Sequence, residues 1–314
     1  MLTKNINFKN FKLKKNSKKI GKDLKILLKE KSVLIQSLSP SYKNSYSKKL
    51  ISKIKKHTNI RIIGMGGSIL GTESIYNFLR HKIKKNFSFI NNLQAKIKLS
   101  DKKKKYVNLI ISKSGNTLET ISNSNIYIKN KDENIFITED KESYLFLLAK
   151  KLKAEVVHHN NFIGGRYSVL SEVGMLPAEL MGLDRKKFKQ INNLVKNKTF
   201  INSLITNVNN TLCFIKQKKF NSIILNYDEK SNNLFIWYQQ LIGESLGKKG
   251  RGILPTLSTM PKDNHSLMQL YLDGPKNNFF TFFYVREKNS IKINKNKILS
   301  PYNYLKNKSL SQIT

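Results

Sequence analysis

Five short stretches carry residue types that can do chemistry. Gly64-Met-Gly-Gly-Ser-Ile-Leu-Gly71 follows a β-branched run and opens a helical one. Glycines there let the backbone approach an anion, and the amides of a helix start carry partial positive charge. This is not the dinucleotide fingerprint, whose third glycine would fall on Ile69, and it lacks the Lys-Ser/Thr ending of a P-loop. A tight turn would use the same glycines. Ser112-Lys-Ser-Gly-Asn-Thr117 packs three hydroxyls and a cation into six residues, which suits a phosphate monoester. Asn116 and Glu119 have capping-box spacing, so Thr117 should begin a helix whose free amides point at the same anion. The plainer alternative is a hydroxyl-rich cap.

Gly164-Gly-Arg-Tyr-Ser168 sets two glycines before one of only six arginines in a lysine-dominated chain. The planar guanidinium of Arg166 stays charged and can offset a developing oxyanion, or it can serve as a surface ion-pair partner. In Trp237-Tyr-Gln-Gln-Leu-Ile-Gly-Glu-Ser-Leu-Gly-Lys248, Gln240 and Glu244 are four apart and share one helix face, with Phe235, Leu241 and Ile242 free to turn inward. Taken alone, a helix glutamate is usually a solvated one. In Met260-Pro-Lys-Asp-Asn-His-Ser-Leu-Met-Gln269, Asp263 reads as an N-cap and His265 falls in the first helical turn, where an imidazole can move protons or simply cap. His158-His159 is too sparse for a metal site, since no further ligands are organised nearby.

The elements that must position these residues alternate. Asn59–Ile63 reads as a strand, Thr72–His81 as a helix, and Tyr106–Ser112, with its continuously apolar centre, as a buried parallel strand followed by a helix to about residue 130. Strands are expected at Asn134–Thr138 and Glu155–Val157, and helices at Lys141–Lys153 and Ser168–Gly182, the last with an internal Pro177. After a polar helix around Lys186–Lys198 the rhythm restarts. A helix through Lys216 leads to strands at Phe220–Tyr227, Gly252–Met260 and Phe279–Arg286, and to helices at Asn233–Leu246 and His265–Leu272. Leu305–Thr314 reads as a helix just starting, with no terminal cap or tail. Such alternation predicts an α/β protein with open parallel sheets covered by helices on both faces. The boundaries expected are a helical lead-in at 1–50, a first domain at 51–198 and a second at 199–314.

Composition bounds the class. At 314 residues and 39% hydrophobic, the chain can bury one large core or two ordinary ones. Its single cysteine, Cys213, excludes an intramolecular disulfide framework and favours a reducing compartment. With no apolar run long enough to span a bilayer and no signal-like start, the expectation is a soluble, cytoplasmic protein without membrane contact. The formal charge of +38 would ordinarily suggest nucleic acid. Yet 52 of the 58 basic residues are lysine and stand beside 37 Asn and 35 Ile, all from AT-rich codons. The lysines are scattered, as in Asp101-Lys-Lys-Lys-Lys105, so base bias explains them better and no specific nucleic-acid partner is expected.

Taken in order, GMGGSILG, SKSGNTLET, GGRYS, QQLIGESLGK and DNHSLMQL closely resemble the blocks of the glucose-6-phosphate isomerase (phosphoglucose isomerase) family, from about residue 60 to 275. The resemblance implies two sugar-isomerase domains of flavodoxin-like topology, each a parallel-sheet α/β/α sandwich, the second incomplete. It implies interconversion of glucose 6-phosphate and fructose 6-phosphate with neither metal nor cofactor. By that resemblance Ser68, Ser112, Lys113, Ser114 and Thr117 hold the substrate phosphate, and Gly67 and Gln240 help position the sugar. Glu244 is the base, Arg166 stabilises the intermediate, and His265 assists ring opening from the neighbouring subunit of a homodimer.

The family continues beyond the point matching Thr314, through further elements and a C-terminal lysine used in ring opening. The expectation is therefore a truncated second domain, prone to association and with little or no isomerase activity on its own. The rival from another class is a non-catalytic sugar-phosphate-binding module, which would share the hydroxyl loops but has no need of Glu244 with Gln240, Arg166 and His265.

Overall fold

In the computed structural model, residues 18–96, 104–129 and 131–314 are described. Residues 1–17 of the expected lead-in and 101–103 of the lysine run lie outside them. The chain forms two units, Met1–Lys216 and Gln217–Thr314.

The first unit opens with helices α1 (Lys18–Lys29), α2 (Val33–Ser37) and α3 (Lys48–Ile54). The side chains of Ser32 and Ser47 cap α2 and α3 by accepting from Ile35 N and Leu50 N. Then follow β1 (Asn59–Gly64), α4 (Leu70–Phe78), β2 (Asn86–Ile90), β3 (Val107–Ile111), α5 (Leu118–Tyr127), β4 (Glu133–Thr138), α6 (Tyr144–Lys151) and β5 (Glu155–His158). All five strands are parallel, in the order β2-β1-β3-β4-β5. This is the doubly wound arrangement, and its order reverses between β1 and β3.

The continuous apolar runs in β1, β3 and β4 follow from burial on both faces. Ile60, Ile62, Leu109, Ile111, Ile135 and Ile137 face one core, with Leu50 and Ile54 of α3. Ile63, Ile110 and Phe136 face the other, with Tyr127 of α5 and Leu145 and Ala149 of α6. Most of these side chains are fully buried, each contributing about 1.5–3 kcal/mol.

Strand β2 is absent from the sequence expectation. It is a short edge strand behind a lysine run, and its signal is only the alternation of Phe87 and Phe89, which pack on Tyr76 at centroid distances of 5.5 and 5.2 Å.

The helix expected over Ser168–Gly182 is two elements, a 3₁₀ segment at Gly165–Leu170 and α7 (Glu172–Leu180), separated by Ser171, which caps α7. Pro177 cannot donate to the Val173 carbonyl, and the Thr72 hydroxyl of α4 donates to it instead, at 3.4 Å. The polar helix expected near Lys186 is a short turn, α8 (Arg185–Phe188), running into 3₁₀ structure. Helix α9 (Lys198–Lys216) closes this unit: Gly21 of α1 lies against Ile205, with room for a Cβ only 3.5 Å from its Cδ1. The unit boundary thus falls after α9, whereas the sequence expectation set it before that helix.

The second unit contains β6 (Asn221–Asn226), α10 (Asn232–Leu246), β7 (Leu254–Thr259), α11 (Met268–Asp273), β8 (Asn278–Phe283) and α12 (Leu310–Ile313). Its three strands are parallel with β6 central, in the order β7-β6-β8. Ile223, Leu225 and Met260 make its core with Tyr227, Met268 and Tyr271, and Phe235 of α10 meets Phe283 edge-on at 4.9 Å. At the N-terminus of α12, Ser309 and Gln312 form a reciprocal capping box.

Candidate active site

Gly64 pairs with Ile111, so the glycine loop and the hydroxyl loop leave adjacent strand ends beside the sheet's point of reversal. Gly66 takes the left-handed conformation, with φ +51°, which lets a 3₁₀ turn over Gly66–Ser68 lead into α4. Gly67 lies directly against the backbone of Gly165 and Arg166, so close that any Cβ there would collide with both. The Ser168 hydroxyl reinforces the contact, donating to the Gly165 carbonyl at 2.7 Å, with the Gly67 carbonyl at 3.3 Å. Ser68, Gly67 and Arg166 are thereby held in one place. The Arg166 guanidinium lies over the Tyr167 ring, 4.6 Å from its centroid.

In the next loop the hydroxyls of Ser112 and Thr117 are 2.9 Å apart. Gly115, at φ +67°, faces Ser143 and Thr138 where a side chain would sit. The Ser112–Thr117 loop is pinned to the start of α6: Leu145 N donates to the Gly115 carbonyl at 3.0 Å and Tyr144 N to Asn116 Oδ1 at 2.9 Å. That replaces the expected capping box. Thr117 occupies the N-cap of α5 without a side-chain cap bond, and the helix begins at Leu118. Ser114 is exposed and its Oγ accepts from Asn116 N at 3.3 Å. The Lys113 ammonium pairs with Glu139 at 3.2 Å and donates to the Asn161 carbonyl at 2.7 Å, tying this loop to the segment that carries Arg166.

The arginine segment is anchored at its base by a buried polar cluster. His159 and Glu172, 2% and 0% exposed, meet at 2.6 Å between Nδ1 and Oε1, while His159 Nε2 is 3.0 Å from the Ile163 carbonyl. Asn160 N donates to the same carboxylate at 3.2 Å and Tyr42 Oη at 3.1 Å. Burial pushes the Glu172 carboxyl up, but its bond to His159, the histidine's charge and the backbone donors outweigh this and hold it below its ordinary value. Tyr42 is pushed up by burial and by the Glu172 charge. Beside them Lys189 donates to the carbonyls of Ser37 and Leu170, and burial draws it down to about 8. Sequence reasoning weighed His159 only as a metal ligand; its partner lies 13 residues on, and Tyr42 a further 130 from Glu172, with no local signal joining them.

In the second unit Gln240 and Glu244 do share a face of α10, with Gln240 Nε2 donating to Glu244 Oε1 at 3.0 Å. Gln240 Oε1 is buried without a hydrogen-bond partner, an acceptor suited to a hydroxyl. Gln239 donates to the Pro255 carbonyl at 3.1 Å and fixes the helix on β7. His265 differs from expectation: it is exposed and ends a 3₁₀ turn at Lys262–His265, ahead of α11. Asp263 does not cap α11; its carboxylate accepts from Ser258 Oγ at 2.9 Å and Thr259 N at 2.8 Å, stapling the turn to β7. Among the described residues no group of three or more His, Cys, Asp or Glu could hold a metal, and no helix is long and apolar enough to cross a membrane.

The fold places the chain in a class. The crystal structure of a hypothetical protein, TT0462 from Thermus thermophilus, superposes with a TM-score of 0.73 at 19% identity, over 94% of this chain and 77% of that one. A glucose-6-phosphate isomerase from Chlamydia trachomatis superposes at 0.61 and 19% identity, over 84% and 55%. The class is therefore that of the phosphosugar-isomerase α/β fold. The model of the family described as phosphoglucose isomerase matches residues 31–253, and the chain belongs to that family. A glucose-6-phosphate isomerase from Methanocaldococcus jannaschii is 37% identical over 251 residues, 74% of this chain and 61% of that protein. The chain spans about three fifths to two thirds of the length of the curated relatives it matches.

Proposed function

We propose that the protein interconverts glucose 6-phosphate and fructose 6-phosphate through a cis-enediol. The observation that carries this reading is the backbone contact of Gly67 with Gly165 and Arg166, beside the paired hydroxyls of Ser112 and Thr117, in a chain of this family. Ser68, Ser112, Ser114 and Thr117 take the phosphate, and Lys113 contributes chiefly by holding its loop to Asn161. Anchoring the phosphate lends remote binding energy to the orientation of C1 and C2. Gln240 accepts from a sugar hydroxyl and steadies the Glu244 carboxylate. Glu244 removes the C2 proton of the open-chain aldose and returns it to C1, and Arg166 offsets the charge on the enediolate oxygen. The exposed His265 assists ring opening, reaching the sugar of a neighbouring copy in a homodimer. We place this reaction in the cytoplasm.

The test is conversion of fructose 6-phosphate in deuterated water. Glucose 6-phosphate carrying deuterium at C2 is the expected product. Saturable binding of sugar phosphate with neither turnover nor deuterium exchange would leave a binding module instead. Sedimentation at micromolar concentration tests the dimer, and a monomer that turns over would remove His265 from the scheme.

A further inference from the structure

Arg166 sits between two fixed points, and the more distant one has no part in the chemistry above. From His159, at the end of β5, to Glu172, at the start of α7, the chain leaves the sheet and returns to it. In between it runs through turns and 3₁₀ structure, whose own hydrogen bonds are weak restraints. The Ile163 carbonyl can only accept, so His159 donates to it from Nε2, and a second proton bridges Nδ1 and the Glu172 carboxylate. One imidazole thus closes the segment twice, to a residue at its far end and to one inside it. Glu172 adds a third closure through Asn160 N, and Tyr42 ties the carboxylate to the N-terminal helices.

We propose that the chain from the half-buried Tyr42 to the buried Glu172 and His159 is a positioning device for Arg166, setting where the segment meets Gly67 and so where the guanidinium stands. The proposal rests on the isomerase reading for the role of Arg166 itself. Among the described residues the side-chain hydrogen bonds of the three go to one another and to the arginine segment, and a surface loop would have no reason to bury an ionisable pair at such desolvation cost. His159 and Glu172 are therefore positioning residues acting through Arg166.

The experiment uses the full-length protein with His159→Phe, Glu172→Gln and the milder Tyr42→Phe, the last removing one hydroxyl should the others fail to fold. Three measurements are made: steady-state kinetics giving kcat and KM for fructose 6-phosphate, affinity for a hexitol 6-phosphate that cannot react, and amide exchange along the chain. The two clamp variants should lower kcat by about 10 to 10², the scale of a displaced catalytic group, while hexitol phosphate affinity stays within about twofold. Exchange across 160–171 should rise about tenfold or more while β3 amides are unchanged, with a smaller rise for Tyr42→Phe. Joined to Arg166→Ala, His159→Phe should cost little further activity, because both act through one group. A lowered melting temperature with normal kcat in the folded variants and unaltered exchange at 160–171 would overturn the proposal, as would additive losses with Arg166→Ala. If the wild type does not turn over, the isomerase reading falls and the exchange result alone decides the clamp.

Discussion

Placing one methyl group on Gly67 should cripple turnover while leaving the sheet folded. Gly67 is not in the left-handed region, so its requirement is for space alone. Its would-be Cβ meets the Gly165 carbonyl carbon and the Arg166 nitrogen far inside the 3.4 Å at which ordinary contact begins. Both are backbone atoms and cannot rotate away. The glycine and arginine loops must part by about 1 Å, and a displacement of that size costs about 10² in rate, or about 2.7 kcal/mol of transition-state stabilisation. Gly164 supplies the control. It has φ −65°, accessible to any residue, and a Cβ there would come only to ordinary contact with the Tyr167 ring, at 3.4 Å. Gly164→Ala should keep wild-type kcat and gain slightly in stability, by up to about 1 kcal/mol, through the unfolded chain. The assay is conversion of fructose 6-phosphate well below the melting temperature of each variant, with hexitol 6-phosphate affinity measured in parallel. A Gly67→Ala protein with kcat within about threefold of wild type would refute the claim that this contact places Arg166.

Glu244→Gln keeps the shape of the side chain and its link to Gln240 but removes the proposed base, so turnover should fall by about 10² to 10⁴; solvent exchange of the C2 proton persisting at the wild-type rate would clear Glu244 of that role. Ser112→Ala with Thr117→Ala deletes the paired hydroxyls and should weaken hexitol 6-phosphate binding, each lost hydrogen bond to a charged group being worth about 1.5–3 kcal/mol; calorimetry that finds unchanged affinity counts against a phosphate site there. Because the Glu172 carboxyl is held below 4.5 in the folded state, the unfolded chain takes up its proton first. Its stabilisation is therefore complete above about pH 4.5 and is lost as pH falls through the folded value, so Glu172→Gln should flatten the acid decline of the melting temperature; a parallel decline in both proteins would contradict this.

The strands that carry the candidate site were legible because burial on both faces leaves an unbroken apolar run. Asn59–Gly64 and Val107–Ile111 could be read directly, and with them the loops at their ends. Strand β2 was not, since an edge strand needs only one apolar face and Asn86–Ile90 offers two phenylalanines for it. Local patterns also misassigned partners. Asn116 and Glu119 have the spacing of a box, but the Asn116 side chain instead receives a backbone donor 28 residues away. Asp263 turned back to β7 because Ser258 and Thr259 present donors closer than the next helix does. Such choices depend on which elements become neighbours, and that is fixed by strand order, not by spacing.

The treatment of arginine shows how far composition can carry a functional argument. In a chain with 52 lysines, each of the six arginines invites the thought that function retained it. The structure gives a different common factor: five of the six, at positions 61, 80, 166, 185 and 286, lie over a tyrosine ring. A planar guanidinium stacks on an aromatic face in a way an ammonium does not, which is reason enough for arginine at those sites. Arg61 makes the point most plainly. It is 2% exposed between Tyr106 and Tyr127, bonded to Asn108 Oδ1 and the Tyr127 carbonyl at 3.0 Å each, with its charge answered by Asp132 at 4.0 Å. Its place is in the sheet, away from both loops. Rarity and stacking are therefore shared by structural arginines and by Arg166 alike. What separates Arg166 is the glycine pressed against its backbone nitrogen, the hydroxyl loop leaving the adjacent strand, and the clamp at the base of its segment.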